Sequence, residues 1–306
     1  MPVRVPVSLP AVEALKEENI FIIDELRAST QDIRPLKIGI LNLMPLKILT
    51  ETDLLRLISN TPLQIHLDFI DTSSHESRNT PREHIEEFYK TFNDIKDQNY
   101  DGFIITGAPV EKVVFEEVDY WGEICEIFDW ARTHVTSTLY ICWAALAGLY
   151  HHYGVPKYVI DEKISGVFPH WVNDKHNPIF RGFDDEFYVP HSRFSEVRRE
   201  DIEKVPGLSI LSESNESGIY IVMARNGREF FITGHSEYSP NTLDFEYRRD
   251  LSKGMNPSVP KHYYVDDNPE KGPIVRWRSH ANLLFTNWLN YFVYQETPYD
   301  IRQIHD

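Results

Sequence analysis

The first half of the chain alternates between two hydrophobic patterns. Short apolar runs indicate buried strands, and apolar residues recurring every three or four positions indicate amphipathic helices. We predict strands at residues 37–43, 63–70, 102–106 and 137–141, and helices near residues 54–58 and at 83–95, 120–133 and 143–153. Strands alternating with helices of this length are typical of a mostly parallel sheet flanked by helices. The sequence therefore predicts an α/β fold.

The second half of the chain has a different pattern, with alternating strands and two further helices near residues 243–251 and 280–294. Strands are predicted at residues 218–224 and 229–233. They flank an Asn-Gly dipeptide at 226–227, which is typical of a two-residue hairpin turn. We expect these added strands and helices to extend the same unit, because no linker separates the halves. The predicted organisation is an N-terminal extended arm (1–35), a single α/β domain (36–300) and a C-terminal tail (301–306).

Composition narrows the class of partner and the cellular location. With 31 basic and 47 acidic side chains the net charge is -16, which is unfavourable for a polyanion bound through lysine and arginine. We therefore expect no nucleic-acid partner. No apolar run approaches the roughly 20 residues that span a bilayer, and no signal peptide is apparent, so we expect no membrane contact and a cytoplasmic location.

Only two cysteines occur, Cys125 and Cys142, so a disulfide framework is not expected. Cys125 lies among apolar residues of a helix and is predicted to be structural. Cys142 follows the strand STLYI and precedes a helix of small residues, so it lies at the carboxyl edge of the predicted sheet, where ligands bind. A helix N-terminus there favours a thiolate and an oxyanion, which makes Cys142 the candidate nucleophile rather than a buried structural cysteine.

His235 is the candidate base. It follows a strand and stands two residues before Glu237. Alternate side chains of an extended chain share a face, so the carboxylate can orient the imidazole and stabilise its charged form. The alternative is a solvent-facing polar pair at a strand end. Combined with Cys142, the pair predicts a catalytic triad for acyl transfer.

These residues belong to longer motifs that resemble the homoserine O-acyltransferase family, which has a class I glutamine amidotransferase-like fold. The resemblance covers nearly the whole chain. It rests on LNLMP (41–45), TGAP (106–109), ICWA (141–144), PHSRF (190–194), GHSEY (234–238), WRSHA (277–281) and NWLNY (287–291). Amidotransferases proper carry glycine two residues before and after the cysteine, where this chain has Tyr140 and Ala144, and this departure favours the acyltransferase branch.

The resemblance implies transfer of an acyl group from acyl-CoA to the hydroxyl of L-homoserine in methionine biosynthesis. The expected route is ping-pong through a thioester on Cys142, with acetyl-CoA as co-substrate and no permanently bound cofactor. Backbone N–H groups of Trp143 and of the turn at Gly107 and Ala108 are the candidate oxyanion hole. The oligomeric state stays open, with a homodimer as one alternative.

The resemblance also implies roles for four further side chains. Arg249 matches the position that holds the homoserine carboxylate, and Lys163 and Ser192 match substrate-contacting positions. Glu111 resembles the acetyl-CoA users, which have glutamate there, whereas succinyl-CoA users have glycine. A fixed carboxylate would repel the distal carboxylate of a succinyl group and tolerate a methyl group.

Several alternatives stay open at this point. The chain departs from the family pattern at Leu146 and Pro169, where glutamine and glutamate are usual. A succinyl-CoA-dependent transferase, a thiol hydrolase or glutaminase, and a non-catalytic binding protein of the same fold remain. Adjacent residues of a helix point about 100° apart, so His151 and His152 are interpreted as structural and no metal site is predicted.

Overall fold

The computed structural model describes residues 3–4, 8–17, 34–74, 79–298 and 301–304. Within them the chain forms one eleven-stranded sheet with helices on both faces. The strands are β1 (Val3–Arg4), β2 (Leu36–Leu41), β3 (Ile65–Asp71), β4 (Tyr89–Thr91), β5 (Tyr100–Ile105), β6 (Val135–Ile141), β7 (Tyr158–Val172), β8 (Glu186–Glu196), β9 (Ser209–Ser214), β10 (Gly218–Ala224) and β11 (Glu229–Ile232).

Nine α-helices lie within the described residues, joined by short 3-10 turns. They are α1 (Ala11–Glu17), α2 (Lys47–Ile58), α3 (Arg82–Phe88), α4 (Phe92–Ile95), α5 (Trp121–His134), α6 (Trp143–Tyr153), α7 (Arg199–Ile202), α8 (Thr242–Ser252) and α9 (Arg278–Asn287). A π-helix, Trp288–Tyr294, continues directly from α9.

The strand order is β1-β3-β2-β5-β6-β11-β10-β9-β7-β8, with β4 also paired to β3. Pairings from β1 to β11 are parallel, and those from β11 through β10, β9 and β7 to β8 are antiparallel. The sheet therefore has a parallel half, built from residues before 154 with β11, and an antiparallel half. β11 lies late in the sequence, but it pairs with β6. This pairing joins the two halves of the sheet.

Two hydrophobic clusters cover the sheet, one on each face. Successive residues of β5 alternate between them, as Ile104 packs in one cluster and Phe103 in the other. α2 and α9 contribute to the first cluster, and α5 and α6 to the second. The predicted α/β fold with helices on both faces is confirmed.

The predicted helix at 83–95 is wrong in its middle, where α3 and α4 are separated by strand β4. The ring of Tyr89 stacks on Phe69 with centroids 5.5 Å apart, and its hydroxyl donates to Glu51. Thr91 then begins α4 with a reciprocal side-chain cap involving Asp94. Packing of a partly buried tyrosine and a new N-cap outweigh the helical periodicity.

The hairpin between β10 and β11 is also longer than predicted. Ala224 pairs with Glu229, so four residues form the loop, and its residues 225–227 all have positive φ. A Cβ on Gly227 would lie 2.2 Å from the Phe292 ring. The π-helix that carries Phe292 therefore packs on this loop and leaves no room for a side chain at position 227.

The N-terminal arm was predicted to be extended, but it contains helix α1. Leu9, Ala11 and Val12 are buried in the cluster that includes α2. Most of residues 18–35 lie outside the described part of the chain, so the division at residue 35 stays a prediction. Among the described residues, every helix is too short or too polar to cross a lipid bilayer.

Candidate active site

Cys142 lies at a sharp turn between β6 and α6. Its backbone has φ 53° and ψ -115°, a conformation that costs a non-glycine residue about 1–3 kcal/mol. The turn is held because the Cys142 N–H donates to the carbonyl of Ile232 in the neighbouring strand at 2.7 Å. The side chain is 3% exposed. The predicted strand-to-helix turn is therefore present, with the thiol at the carboxyl edge of the sheet.

His235 and Glu237 follow β11, the parallel neighbour of β6. Ile232 is in register with Ile141, so the chain reaches His235 three residues beyond the strand that flanks the nucleophile. His235 Nδ1 lies 2.6 Å from Glu237 Oε1, and the His235 N–H donates to the Pro190 carbonyl at 2.8 Å. The imidazole is fixed at Nδ1, which leaves Nε2 for proton transfer.

The electrostatics of Cys142 and His235 are coupled. Burial raises the pKa of the Cys142 thiol, and a hydrogen bond and attraction to His235 oppose that rise. Burial by itself would lower the pKa of His235, but Cys142 and Glu237 raise it well above its ordinary value. The thiol therefore depends on His235 to accept its proton, and Glu237 favours the imidazolium.

The turn after β5 lies directly against the nucleophile. A Cβ added to Gly107 would lie 3.0 Å from Cys142 Cβ and 3.6 Å from Sγ, and Ala108 beside it is buried. Trp143 is the first residue of α6, where backbone N–H groups have no partner within the helix. The structure thus brings all three residues predicted for the oxyanion hole next to Cys142.

Glu111 approaches Cys142 from the same loop. Its Oε1 lies 3.6 Å from Cys142 Sγ, and its Oε2 accepts the Phe194 N–H at 2.7 Å. The carboxylate is therefore fixed by backbone beside the thiol rather than free in a solvent-facing loop.

Lys163 on β7 and Ser192 on β8 converge on Glu246 of α8. Lys163 Nζ lies 3.1 Å from Glu246 Oε2, and the Ser192 hydroxyl donates to the same oxygen. Burial by itself would raise the pKa of Glu246, but Lys163 and Ser192 hold it below its usual value. Tyr238, whose ring stacks on His235 with centroids 4.1 Å apart, donates to Glu246 Oε1. A partly buried, ionised carboxylate thus adjoins His235 and Tyr238.

Glu246 was missed from the sequence. It stands three residues before Arg249 on one helix, so helical spacing was an available signal. Arg249 itself lies at the edge of this cluster. Its guanidinium is 2.8 Å from Asp250, its side chain is 41% exposed, and Asp250 in turn lies 3.9 Å from Lys163.

Arg193 was also missed, although it belongs to a motif that the resemblance includes. It is 1% exposed, donates to the carbonyls of Ser195 and Ser217, and has no carboxylate within ion-pair distance among the described residues. Cys142 and Glu111 are among the groups that act on it electrostatically. A fixed positive charge is therefore buried near the candidate nucleophile.

Two neutral histidines stack on each other beside the candidate base. The rings of His170 and His191 are 5.0 Å apart and nearly parallel, and a Cβ on Gly234 would lie 2.9 Å from His191. Burial lowers the pKa of His170 to about 3 and that of His191 well below its ordinary value. These rings pack the site without adding charge.

Cys125, His151 and His152 do not join this cluster. The two histidines lie in the last turn of α6, about 15 Å along the helix from Cys142. Burial raises the pKa of Cys125 to about 11, which disfavours a reactive thiolate.

The site combines a buried thiol, an imidazole with an orienting carboxylate, backbone donors beside the sulfur and a charged pocket. This set can attack a carbonyl carbon, stabilise the resulting oxyanion and hold a second polar substrate. The chemistry that it supports is acyl transfer through a covalent intermediate.

Comparison with known proteins is consistent with that chemistry. A family model described as homoserine O-succinyltransferase matches residues 2–299. A homoserine O-acetyltransferase from Bacteroides fragilis is 68% identical over 304 residues, which cover 99% of this chain and 100% of that protein. One from Bacteroides thetaiotaomicron is 69% identical with the same coverage.

Similarity to solved structures concerns the fold alone. A glutamine amidotransferase from Thermotoga maritima superposes with a TM-score of 0.56 at 13% identity, over 86% of this chain and 100% of that one. The predicted amidotransferase-like fold is therefore confirmed.

Proposed function

The chain belongs to the homoserine O-succinyltransferase family, and from that membership we propose that it transfers an acetyl group from acetyl-CoA to the hydroxyl of L-homoserine. Relatives 68–69% identical are named homoserine O-acetyltransferase, which supports both the acceptor and the donor. The observation that carries the mechanism is the buried Cys142, His235 and Glu237 constellation.

The first half-reaction loads the enzyme. His235 Nε2 takes the thiol proton of Cys142, and the thiolate attacks the thioester carbonyl carbon. The oxyanion accepts hydrogen bonds from the backbone N–H groups of Trp143 and of the Gly107 turn. Each such bond is worth about 3 kcal/mol in comparable sites. The bond between the carbonyl carbon and the CoA sulfur breaks, the imidazolium returns its proton to that sulfur, and an acetyl thioester remains on Cys142.

The second half-reaction uses the same groups. His235 takes the proton of the homoserine hydroxyl, whose oxygen attacks the thioester carbon, and the bond to Sγ breaks. The proton then returns from the imidazolium to the sulfur. Because the acetyl group is held covalently on Cys142 after CoA leaves and before homoserine reacts, the kinetics are ping-pong.

Homoserine is a zwitterion, and the pocket beside His235 offers charges of both signs. Glu246 is a partly buried carboxylate suited to the ammonium group, and the Arg249 guanidinium is suited to bidentate contact with the carboxylate. Lys163 and Ser192 hold Glu246 in place. The acceptor hydroxyl then faces Cys142.

Glu111 supports acetyl as the donor's acyl group. Its carboxylate is 3.6 Å from Cys142 Sγ and fixed by the Phe194 N–H. A succinyl group on Cys142 would bring a second carboxylate toward it, whereas a methyl group carries no charge. The family name favours succinyl as the second candidate donor, so the two are tested together.

Intact-mass measurement after mixing the chain with acetyl-CoA tests the covalent step. We expect one hydroxylamine-labile acetyl adduct, absent in Cys142→Ala and discharged by homoserine with formation of O-acetylhomoserine. Absence of both adduct and CoA release from the wild type would refute the transferase. Release of ammonia from glutamine would instead favour the glutaminase alternative.

The donor is tested with Glu111→Gly. We expect the wild type to form the acetyl adduct faster than the succinyl adduct, and the variant to gain succinyl transfer. Glu116→Gly removes an exposed carboxylate of the same loop and is expected to change neither rate. Faster succinyl loading by the wild type would contradict only the role of Glu111.

A further inference from the structure

Three ligand-bearing side chains meet on the surface far from Cys142, at the junction of α5 and α6. Ligand atoms of Asp129, His151 and His152 all lie within 4.8 Å of one another. Asp129 Oδ1 is 2.8 Å from His151 Nε2 and 4.0 Å from His152 Nδ1. Two adjacent histidines of α6 thus converge on one carboxylate of α5.

We propose that Asp129, His151 and His152 bind a divalent transition-metal ion, with zinc as the preferred class. Imidazole nitrogens with one carboxylate oxygen suit zinc and not magnesium or calcium, which prefer all-oxygen sets. Tetrahedral zinc with bonds of about 2.1 Å places its ligand atoms about 3.4 Å apart, between the two distances found here. Small side-chain rotations therefore suffice.

The surroundings hold the imidazoles in place. The His152 side chain is 1% exposed, its ring lies 5.9 Å from the ring of Phe128, and its Nε2 faces the hydroxyl of Tyr140 at 3.4 Å. A partner on the far nitrogen is the usual support of a metal-bound histidine. Asp129 is 67% exposed, so an ion can enter from solvent, and water completes its coordination.

Bound metal would tie the last turn of α6 to α5. Cys142 directly precedes the first residue of α6, so the ion would stabilise the helix that supports the candidate nucleophile without contacting substrate. The expected effect is a higher melting temperature in the presence of zinc rather than a new catalytic activity.

Calorimetric titration with zinc tests the site, with visible d–d absorption of cobalt as a second readout. The titration uses Cys142→Ala as the parent chain, because the catalytic thiol could itself bind zinc. We expect one ion per chain and at least about 10-fold weaker binding in Asp129→Asn and His151→Gln, both partly exposed positions that tolerate substitution.

His262→Gln is the matched control. His262 Nε2 lies 3.1 Å from Glu216, so it forms a histidine–carboxylate pair without a second imidazole. We expect its zinc affinity to equal that of the parent. Absence of saturable binding, equal affinity in Asp129→Asn, or loss of binding in Cys125→Ser but not in His151→Gln would overturn the proposal. None of these outcomes bears on acyl transfer.

Discussion

The two halves of the sheet contribute to the site by different means. The parallel half supplies Cys142 and Gly107 through backbone geometry, with a positive φ at the nucleophile and a glycine against its sulfur. The antiparallel half and α8 supply charged side chains, such as Lys163 and Glu246, which hold one another in place. The proposed chemical step thus rests on backbone placement, and acceptor binding on ion pairs.

This difference predicts how the halves respond to substitution. Changes in the backbone-built part should reduce kcat, because they displace groups that act only in the transition state. Changes in the ion-paired part should raise KM for homoserine, because they remove binding energy present before the reaction. Residues that follow β11 join the halves, and they should show the largest effects.

His235→Asn is expected to have the largest effect, since His235 serves both proposed half-reactions. We expect kcat to fall by about 10⁴-fold or more. The thiol pKa of Cys142 should rise because attraction to His235 opposes the effect of burial. The rate of iodoacetamide labelling against pH measures that rise, and an unchanged labelling profile would contradict the coupling.

Gly107→Ala should reduce kcat by about 10²- to 10³-fold with little change in KM for homoserine. The added methyl would lie 3.0 Å from Cys142 Cβ, so either the turn or the nucleophile must move. Gly122→Ala on α5 is the control, because its Cβ meets nothing within 4 Å. A rise in KM alone for Gly107→Ala would contradict the assignment of the parallel half to the chemical step and of the antiparallel half to acceptor binding.

Glu246→Gln should raise KM for homoserine by roughly 10- to 100-fold, the range of a charge-assisted hydrogen bond. Acetylation of Cys142 by acetyl-CoA should be unchanged, because the acceptor is absent from that step. Asp244→Asn, on the same helix, should change neither quantity. Slower acetylation in Glu246→Gln would place this carboxylate in the chemical step.

One further effect concerns stability in acid rather than catalysis, and activity at neutral pH should not register it. His170 and His191 are neutral in the fold at pH values where the unfolded chain binds a proton on each, below about 6.5. Together they should lower the free energy of unfolding by about 2.7 kcal/mol per pH unit as pH falls from 6.5.

Urea unfolding at several pH values measures this dependence. His170→Gln should reduce it by about 1.4 kcal/mol per pH unit, and the exposed His176→Gln should leave it unchanged. Equal slopes in His170→Gln and the wild type would show that His170 is charged in the fold.

Local hydrophobic patterns in the sequence were enough to predict most elements of the parallel half of the sheet. Helix α6 has the predicted bounds, 143–153, because small apolar residues follow a β-branched strand without interruption. Strand β4 was not predictable, since packing of Tyr89 against Phe69 depends on β3, which ends 18 residues earlier in the chain. The four-residue hairpin loop likewise depends on Phe292, far along the chain.

The site follows the same rule. Cys142, His235 and Glu237 stand in local sequence patterns that are typical of catalytic residues, and the structure brings them together. Glu246 and Arg193 do not stand in such patterns. Glu246 is recognised through its contact with Ser192 on β8, and Arg193 through its hydrogen bond to the Ser217 carbonyl. The proximity of Asp129 to His151 and His152 could likewise not be read from the sequence, because Asp129 lies 22 residues earlier than His151.

The pairing of β6 with β11 has a consequence for how this fold can vary. Ile141 of β6 pairs with Ile232 of β11. The separation of Cys142 and His235 therefore depends on how many residues follow each of these paired positions. Insertions in the 225–228 loop fall at the other end of β11 and leave that count unchanged. One residue added between Thr233 and His235 would shift the imidazole off the sulfur. The antiparallel strands that lie between β6 and β11 in the sequence can therefore change in length while the spacing of Cys142 and His235 stays fixed by this pairing.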